Sequence, residues 1–172
     1  LLAFPEVRMD MVRPDIVIYG YYPDEITEDF LNNKGIDVDL KPVMQLETSV
    51  VAIKKITKGT SISYGRTWIA QNDTTIAVLP IGYADGLLRR NSPGLKVTIN
   101  GKLYPICGRI CMDQCMILLP HAYNVGEPVI LLGAQGNDFI SIDEWATKCD
   151  TINYEVPCII TSRVPRVYKN EK

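Results

Sequence analysis

Lys96-Val-Thr-Ile-Asn-Gly-Lys-Leu-Tyr104 decides the fold class of this chain. Apolar and polar residues alternate on both sides of Asn100-Gly101. Asn-Gly readily takes the two left-handed conformations of a type I′ turn, whose twist matches that of antiparallel strands. The stretch therefore predicts a two-residue hairpin. Outward from it the same grammar repeats. Thr74–Ile81 reads as a buried apolar strand, and Cys115–Leu119 and Pro128–Leu132 as further strands. Val43–Ile56 mixes alternating and β-branched residues and leads into a turn at Thr57-Lys-Gly-Thr60. Ser141-Ile-Asp-Glu begins as a capping box and predicts the one helix of this half, over Ser141–Lys148. Ile159–Tyr168 is expected to be a final strand with basic residues on its exposed side.

The first forty residues read differently. Residues 1–20 suggest a short apolar strand ending at Gly20, and Asp24–Lys34 a helix capped by Asp24 and stopped by Gly35. Lys41-Pro42 is a plausible boundary. The expected organisation is a strand-helix unit over 1–40, too small to be a domain, followed over 41–172 by a mainly β unit, barrel-like or sandwich-like. There are no internal repeats.

The chain has 172 residues, 47% hydrophobic and 22% charged, with a net charge of −2. That composition is ordinary for a soluble globular protein. The absence of a basic block argues against a nucleic-acid partner, and no apolar run is long enough to span a bilayer. No signal peptide is evident, and the start at Leu1 rather than Met is what a fragment would show. Cys107, Cys111 and Cys115 would share one face of a strand and read as reduced, half-buried thiols. They match no zinc spacing, and the single histidine, His121, lies in a loop-like context, so no metal site is expected.

Several short motifs then follow in order: Met11-Val-Arg-Pro-Asp-Ile-Val-Ile-Tyr-Gly20, Ser63-Tyr-Gly-Arg-Thr67, Ile81-Gly-Tyr-Ala-Asp-Gly86, Gly108-Arg-Ile-Cys-Met-Asp-Gln114 and Thr151-Ile-Asn-Tyr-Glu-Val-Pro157. Each alone has an ordinary explanation. Arg13 could form a surface ion pair, and Tyr64 could be a strand-end tyrosine with a wet hydroxyl. Tyr83 could pack before a turn, and Met112 could simply be buried. As an ordered series they resemble the C-terminal part of the alanine racemase family, enzymes that use pyridoxal 5′-phosphate (PLP).

That resemblance implies a mainly β domain preceded by the last strand and helix of an (α/β)8 barrel. It implies that Arg13 donates to the pyridine nitrogen of PLP, and being always charged keeps that nitrogen unprotonated. Asp15, Ile16 and Tyr154 would lie at the cofactor phosphate. Asp15 departs from the glycine usual in the family and adds a carboxylate beside an anionic group. Racemisation needs a base on each face of the reacting carbon, and Tyr64 matches the family's tyrosine base. Met112 would offer a backbone amide to the substrate carboxylate, and Tyr83, Arg109 and Asp113 would line the substrate entrance. Arg89 and Arg90 are better explained as a solvated surface pair.

The family's cofactor-holding lysine has no counterpart in this chain, whose lysines fall in turns, linkers or solvent-facing positions. The resemblance thus implies part of a racemase, inactive alone, with an active site shared between the two chains of a homodimer in the cytoplasm. The substrate would be alanine, or serine in a related branch, and the product a D-amino acid for the bacterial cell wall. The rival reading is a non-catalytic β domain for dimerisation or binding, derived from a racemase.

Overall fold

A computed structural model describes residues 1–120 and 123–169, so His121 lies outside the described residues. Among the described residues, ten strands and three α-helices follow in order. The strands are β1 (Leu46–Ser49), β2 (Ala52–Ile56), β3 (Ser61–Ile62), β4 (Trp68–Ile69), β5 (Thr74–Leu79), β6 (Lys96–Ile99), β7 (Lys102–Cys107), β8 (Cys115–Leu118), β9 (Pro128–Gln135) and β10 (Asp138–Ile140). The helices are α1 (Glu28–Asn33), α2 (Ile142–Cys149) and α3 (Glu155–Ile159). The mainly β reading holds. The predicted hairpin is β6–β7, with Lys96 opposite Pro105 and Ile99 opposite Lys102, and Asn100 and Gly101 at φ 49° and 69°.

Eight strands form one antiparallel sheet in the order β1-β9-β6-β7-β8-β5-β2, with β10 also on β9. β1 and β2 lie at opposite ends of this path, yet only Val50 and Val51 separate them. Val50 donates to Glu127 O on the β9 side, and Val51 donates to Val78 O of β5. One continuous segment thus supplies both edges, so the sheet must roll up on itself, which gives the barrel-like body and removes most of the open edge.

Inside lies a core that includes Leu79, Val97, Ile99, Ile117, Val129 and Leu131, all fully buried. Burial of each such side chain contributes about 1.5–3 kcal/mol. α2 closes it with Trp145, whose indole N–H donates to Leu131 O at 3.1 Å. Ser141 caps α2 as read, accepting from the Glu144 amide at 3.0 Å. A second apolar cluster (Ile62, Ile76, Cys107, Cys111 and Met116) lies outside the main core, with Trp68 packed against it. β8 is therefore covered on both faces, which explains its uninterrupted apolar run.

Four readings are corrected. Residues 1–20 form no strand but two 3-10 turns, Pro5–Val7 and Asp15–Tyr19. Pro5 and Pro14 lack the N–H a ladder needs, and Asp15 sits at φ 57°. α1 begins at Glu28 rather than at Asp24, because Thr27 is its cap and accepts from the Phe30 amide at 3.1 Å. Its stop at Gly35 holds, in left-handed geometry, with Ile36 N–H reaching Leu31 O at 3.0 Å. The last segment is α3 followed by turns, not a strand: Tyr154–Pro157 starts the helix, so α2 is not the only helix of this half. Finally, Cys107, Cys111 and Cys115 do not share a strand face. Gly108, at φ 70°, turns the chain between the end of β7 and the start of β8, sending Cys107 and Cys111 to the outer cluster and Cys115 to the main core.

The N-terminal segment is tied to the β body. Ile16 and Tyr21 join the main core, and Asn153 bridges Tyr22 O and the Asp143 carboxylate, both at 2.9 Å.

Candidate functional site

The predicted residues gather in two groups. The first is built on backbone close approaches. Tyr64 lies in the loop between β3 and β4, where Ser63, Gly65 and Arg66 all take left-handed conformations (φ 65°, 73° and 50°). Ser63 Oγ donates to Arg109 O at 2.5 Å. A Cβ on Gly65 would lie 2.5 Å from Arg109 Nη1, and one on Gly108 would lie 2.9 Å from Ser63 Cβ. The loop is thus pressed onto the 108–111 turn, with the half-buried Arg109 guanidinium against Gly65. Tyr64 projects outward, 72% exposed.

On its other side the same turn meets the 82–86 loop. Tyr83 N–H donates to Cys111 O at 3.0 Å and Ala84 N–H to Met112 O at 2.9 Å. The two backbones touch because Gly82 has no side chain: a Cβ there would lie 2.3 Å from Cys111 O and 2.4 Å from Met112 O. Met112 and Tyr83 stay exposed. Asp113 accepts from Arg163 Nη2 at 2.7 Å, and Arg163 Nε faces Asp85 Oδ1 at 3.3 Å. The buried Asp85 also accepts from the Gly82 amide at 2.9 Å. Tyr64, Arg109, Met112, Asp113 and Tyr83 therefore share one surface.

The second group surrounds a hollow of about 250 Å³ lined by residues that include Phe4, Arg13, Asp15, Pro23, Ile26 and Tyr154. Arg13 pairs with Asp15 at 3.7 Å, its own side chain 90% exposed and so free to meet another partner. Ile16 is buried beneath, anchoring the turn. Burial pushes the Tyr154 hydroxyl pKa above the usual tyrosine value. The Asp15 and Asp24 carboxylates push it the same way, and Arg13 opposes them. A guanidinium, a tyrosine hydroxyl and the start of a 3-10 turn around one hollow are a donor set that fits a phosphorylated aromatic cofactor. The Asp15 carboxylate is the misfit, and its exposed pair with Arg13 offsets little of its charge.

Arg163 and Asp85, which link the 82–86 loop of the first group to Asp113, escaped the sequence reading. Arg163 reads there as one of several exposed basic residues, and Asp85 as a turn aspartate. Only the fold brings them into contact. Among the described residues, no group of three or more His, Cys, Asp and Glu side chains could hold a metal ion, and no helix is long and apolar enough to cross a membrane.

Fold and surface together define a β-rich domain that presents a tyrosine-bearing loop beside a carboxylate-and-guanidinium cluster. The family described as "Alanine racemase, C-terminal domain" matches residues 43–168. The chain is 47% identical to the alanine racemase of Clostridium novyi (strain NT) over 171 residues, covering 98% of this chain and 43% of that protein. It is 45% identical to the Geobacillus stearothermophilus alanine racemase over 171 residues, covering 99% of this chain and 42% of that one. Among solved structures, the Bacillus anthracis alanine racemase with bound L-Ala-P superimposes with a TM-score of 0.82 at 43% identity, covering 91% of this chain and 39% of that one. The Streptomyces coelicolor A3(2) alanine racemase gives 0.84 at 37% identity, covering 94% and 41%. The chain belongs to the alanine racemase family, as its C-terminal domain. It spans less than half the length of the curated relatives it matches.

Proposed function

We propose that this chain is the C-terminal part of a PLP-dependent amino-acid racemase that interconverts L- and D-alanine, with Tyr64 as the proton-transferring base on one face of the substrate. The observation that carries this reading is the Ser63–Arg66 turn. It is held against Arg109 by the Ser63 hydroxyl and by the bare Gly65, and it leaves Tyr64 exposed on a loop packed against the turn that leads to Met112. Arg109 packs against the adjoining Gly65, so the loop that carries the Tyr64 hydroxyl is held in one place, as a proton-transferring group requires.

In this reading residues 1–40 are the end of a barrel whose remainder supplies the cofactor lysine. When bound, PLP acidifies the substrate Cα–H by drawing electron density away from it. Arg13 would hold the ring nitrogen, and Tyr154 with the Ile16 amide would hold the phosphate, with Asp15 beside it. The Met112 amide would orient the substrate carboxylate. Tyr83, Arg109 and Asp113 would border its approach. Tyr64 would give up or accept the proton at its hydroxyl oxygen. The site would be completed by a second copy in a cytoplasmic homodimer, and the chain alone would be inactive. Serine differs from alanine by one hydroxyl, which a small pocket rejects only weakly, so it is the other candidate substrate.

The test is α-hydrogen exchange in D2O, followed by proton NMR on the complete natural polypeptide with PLP. Each alanine enantiomer is offered separately, with and without Tyr64→Phe. Selective loss of exchange from the L enantiomer supports the assignment, and unchanged exchange from both in the variant removes Tyr64 from the chemistry. Asp15 favours a second reading, a non-catalytic β domain for dimerisation. No exchange of alanine or serine by the parent would support it.

A further inference from the structure

The two loops of the tyrosine-bearing surface are joined by one side chain from the C-terminal segment. Arg163 donates from Nη2 to Asp113 at 2.7 Å and places Nε 3.3 Å from Asp85. Its two partners lie on different loops, Asp113 in the 111–114 turn and Asp85 in the 82–86 turn. The partners differ in exposure. Asp85 is only 8% exposed and spends its second oxygen on the Gly82 amide at 2.9 Å, whereas Asp113 is open to solvent. Without a cation the buried carboxylate would be uncompensated, a costly arrangement. Arg163 is itself held in register. Thr161 donates from its amide to Asp85 O at 3.1 Å and from its hydroxyl to Ala84 O at 2.9 Å. Arg166 gathers the carbonyls of Ile160, Thr161 and Val164 beneath it.

We infer that Arg163 is a positioning residue for substrate binding: by bridging Asp85 and Asp113 it fixes the Met112 backbone against the 82–86 loop. The inference rests on the role proposed above for the Met112 amide. A guanidinium suits this task because its planar fork can serve two carboxylates at once, whereas a lysine ammonium is a single point charge on a flexible stem. The contact that Arg163 enforces is the one that Gly82 permits, where Tyr83 and Ala84 donate to the carbonyls of Cys111 and Met112.

Two readouts test this on the complete natural polypeptide with PLP, comparing the parent with Arg163→Ala, Arg163→Lys and Asp113→Asn. The first is deuterium uptake over 82–86 and 111–114, read by mass spectrometry. Arg163→Ala is expected to speed exchange in both segments, with Arg163→Lys intermediate. The second is a kinetic split. An amide that binds the carboxylate equally in ground and transition states should raise KM about tenfold when displaced, leaving kcat within about threefold. Asp113→Asn should move KM the same way, and combining it with Arg163→Ala should add little, since both break one bridge. Unchanged exchange in Arg163→Ala overturns the inference whatever the activity. So does a loss confined to kcat. A parent without racemase activity would instead overturn the proposed function, and the exchange data would still decide whether Arg163 fixes these loops.

Discussion

Gly82→Ala isolates the close approach on which the tyrosine-bearing surface depends. Gly82 has ordinary extended dihedrals (φ −148°), so alanine brings no backbone strain of its own. The obstacle is steric. The new methyl would lie 2.3 Å from Cys111 O and 2.4 Å from Met112 O, backbone atoms that cannot swing aside as a side-chain tip can. The loops must separate, and the bonds from Tyr83 and Ala84 to those carbonyls lengthen or break. Each such bond is worth about 1 kcal/mol net, and forcing a methyl into a filled space costs about 1–3 kcal/mol more. A loss of roughly 3–5 kcal/mol follows, which for a chain of this size lowers Tm by about 10 °C. Gly35→Ala is the matched control. Nothing lies within 4 Å of its would-be Cβ, but its φ is 72°. It should lose only the left-handed penalty of about 1–2 kcal/mol, or a few degrees. Calorimetric melting of both variants decides the matter. If Gly82→Ala melts no lower than Gly35→Ala, the 82–112 contact does not hold these loops together and the site geometry argued from it fails.

Other consequences can be checked in turn. Cys107, Cys111, Cys115 and Cys149 are buried and Cys158 is exposed, so a thiol reagent should add one label to the native chain, at Cys158, and label the remaining thiols only on unfolding. Burial pushes the hydroxyls of Tyr21 and Tyr104 up to about 12, aided at Tyr21 by the Asp143 charge and at Tyr104 by the Tyr123 hydroxyl. Unfolded, both ionise near the ordinary value of about 10, so the folded state keeps their protons longer. The stability they contribute is complete below about pH 10 and is lost as pH rises through about 12. Urea unfolding at steps between pH 9 and 12, with tyrosinate absorbance read in parallel, should show that decline. Asp15→Gly should strengthen PLP binding to the complete polypeptide in an absorbance titration. It removes a carboxylate from the hollow and gives the φ 57° position a residue that suits it. Unchanged or weaker binding would separate that hollow from the cofactor.

The β body was legible where local chemistry and global fold agree. Asn100-Gly101 can hardly do anything but turn, and Ser141 with Glu144 can hardly do anything but start a helix. Legibility failed where a segment's fate depends on partners far away. Residues 1–20 carry strand-like residues but find no neighbouring strand among the described residues, and their prolines and Asp15 bend them into 3-10 turns instead. Ile159–Tyr168 has basic and β-branched residues in strand-like order. Its carbonyls at 160, 161 and 164 are instead taken by the Arg166 guanidinium, leaving no ladder to join.

The candidate site shows the same division. Its chemistry-bearing residues stand out as short strings, yet a string says nothing about what meets it. Tyr64 and Met112 are brought to one surface by absent side chains: Gly65 admits Arg109, Gly82 admits the 111–112 backbone, and Gly108 admits Ser63. Charge then fixes what the glycines allow, through Arg163 and its two carboxylates. Neither contribution suffices alone. Glycines without the bridge would leave loops that can part, and a bridge without glycines would have no close contact to stabilise. Asp15 fits the same logic from the other side. Its left-handed φ marks a place where glycine would be at ease, so the aspartate there accepts a backbone penalty as well as a charge. The salt bridge to Arg13 offsets little of that, because a largely exposed pair at 3.7 Å is worth under about 1 kcal/mol. Asp15 is therefore a position at which both backbone and charge run against what the hollow favours, and one where substitution should tell how that hollow is used.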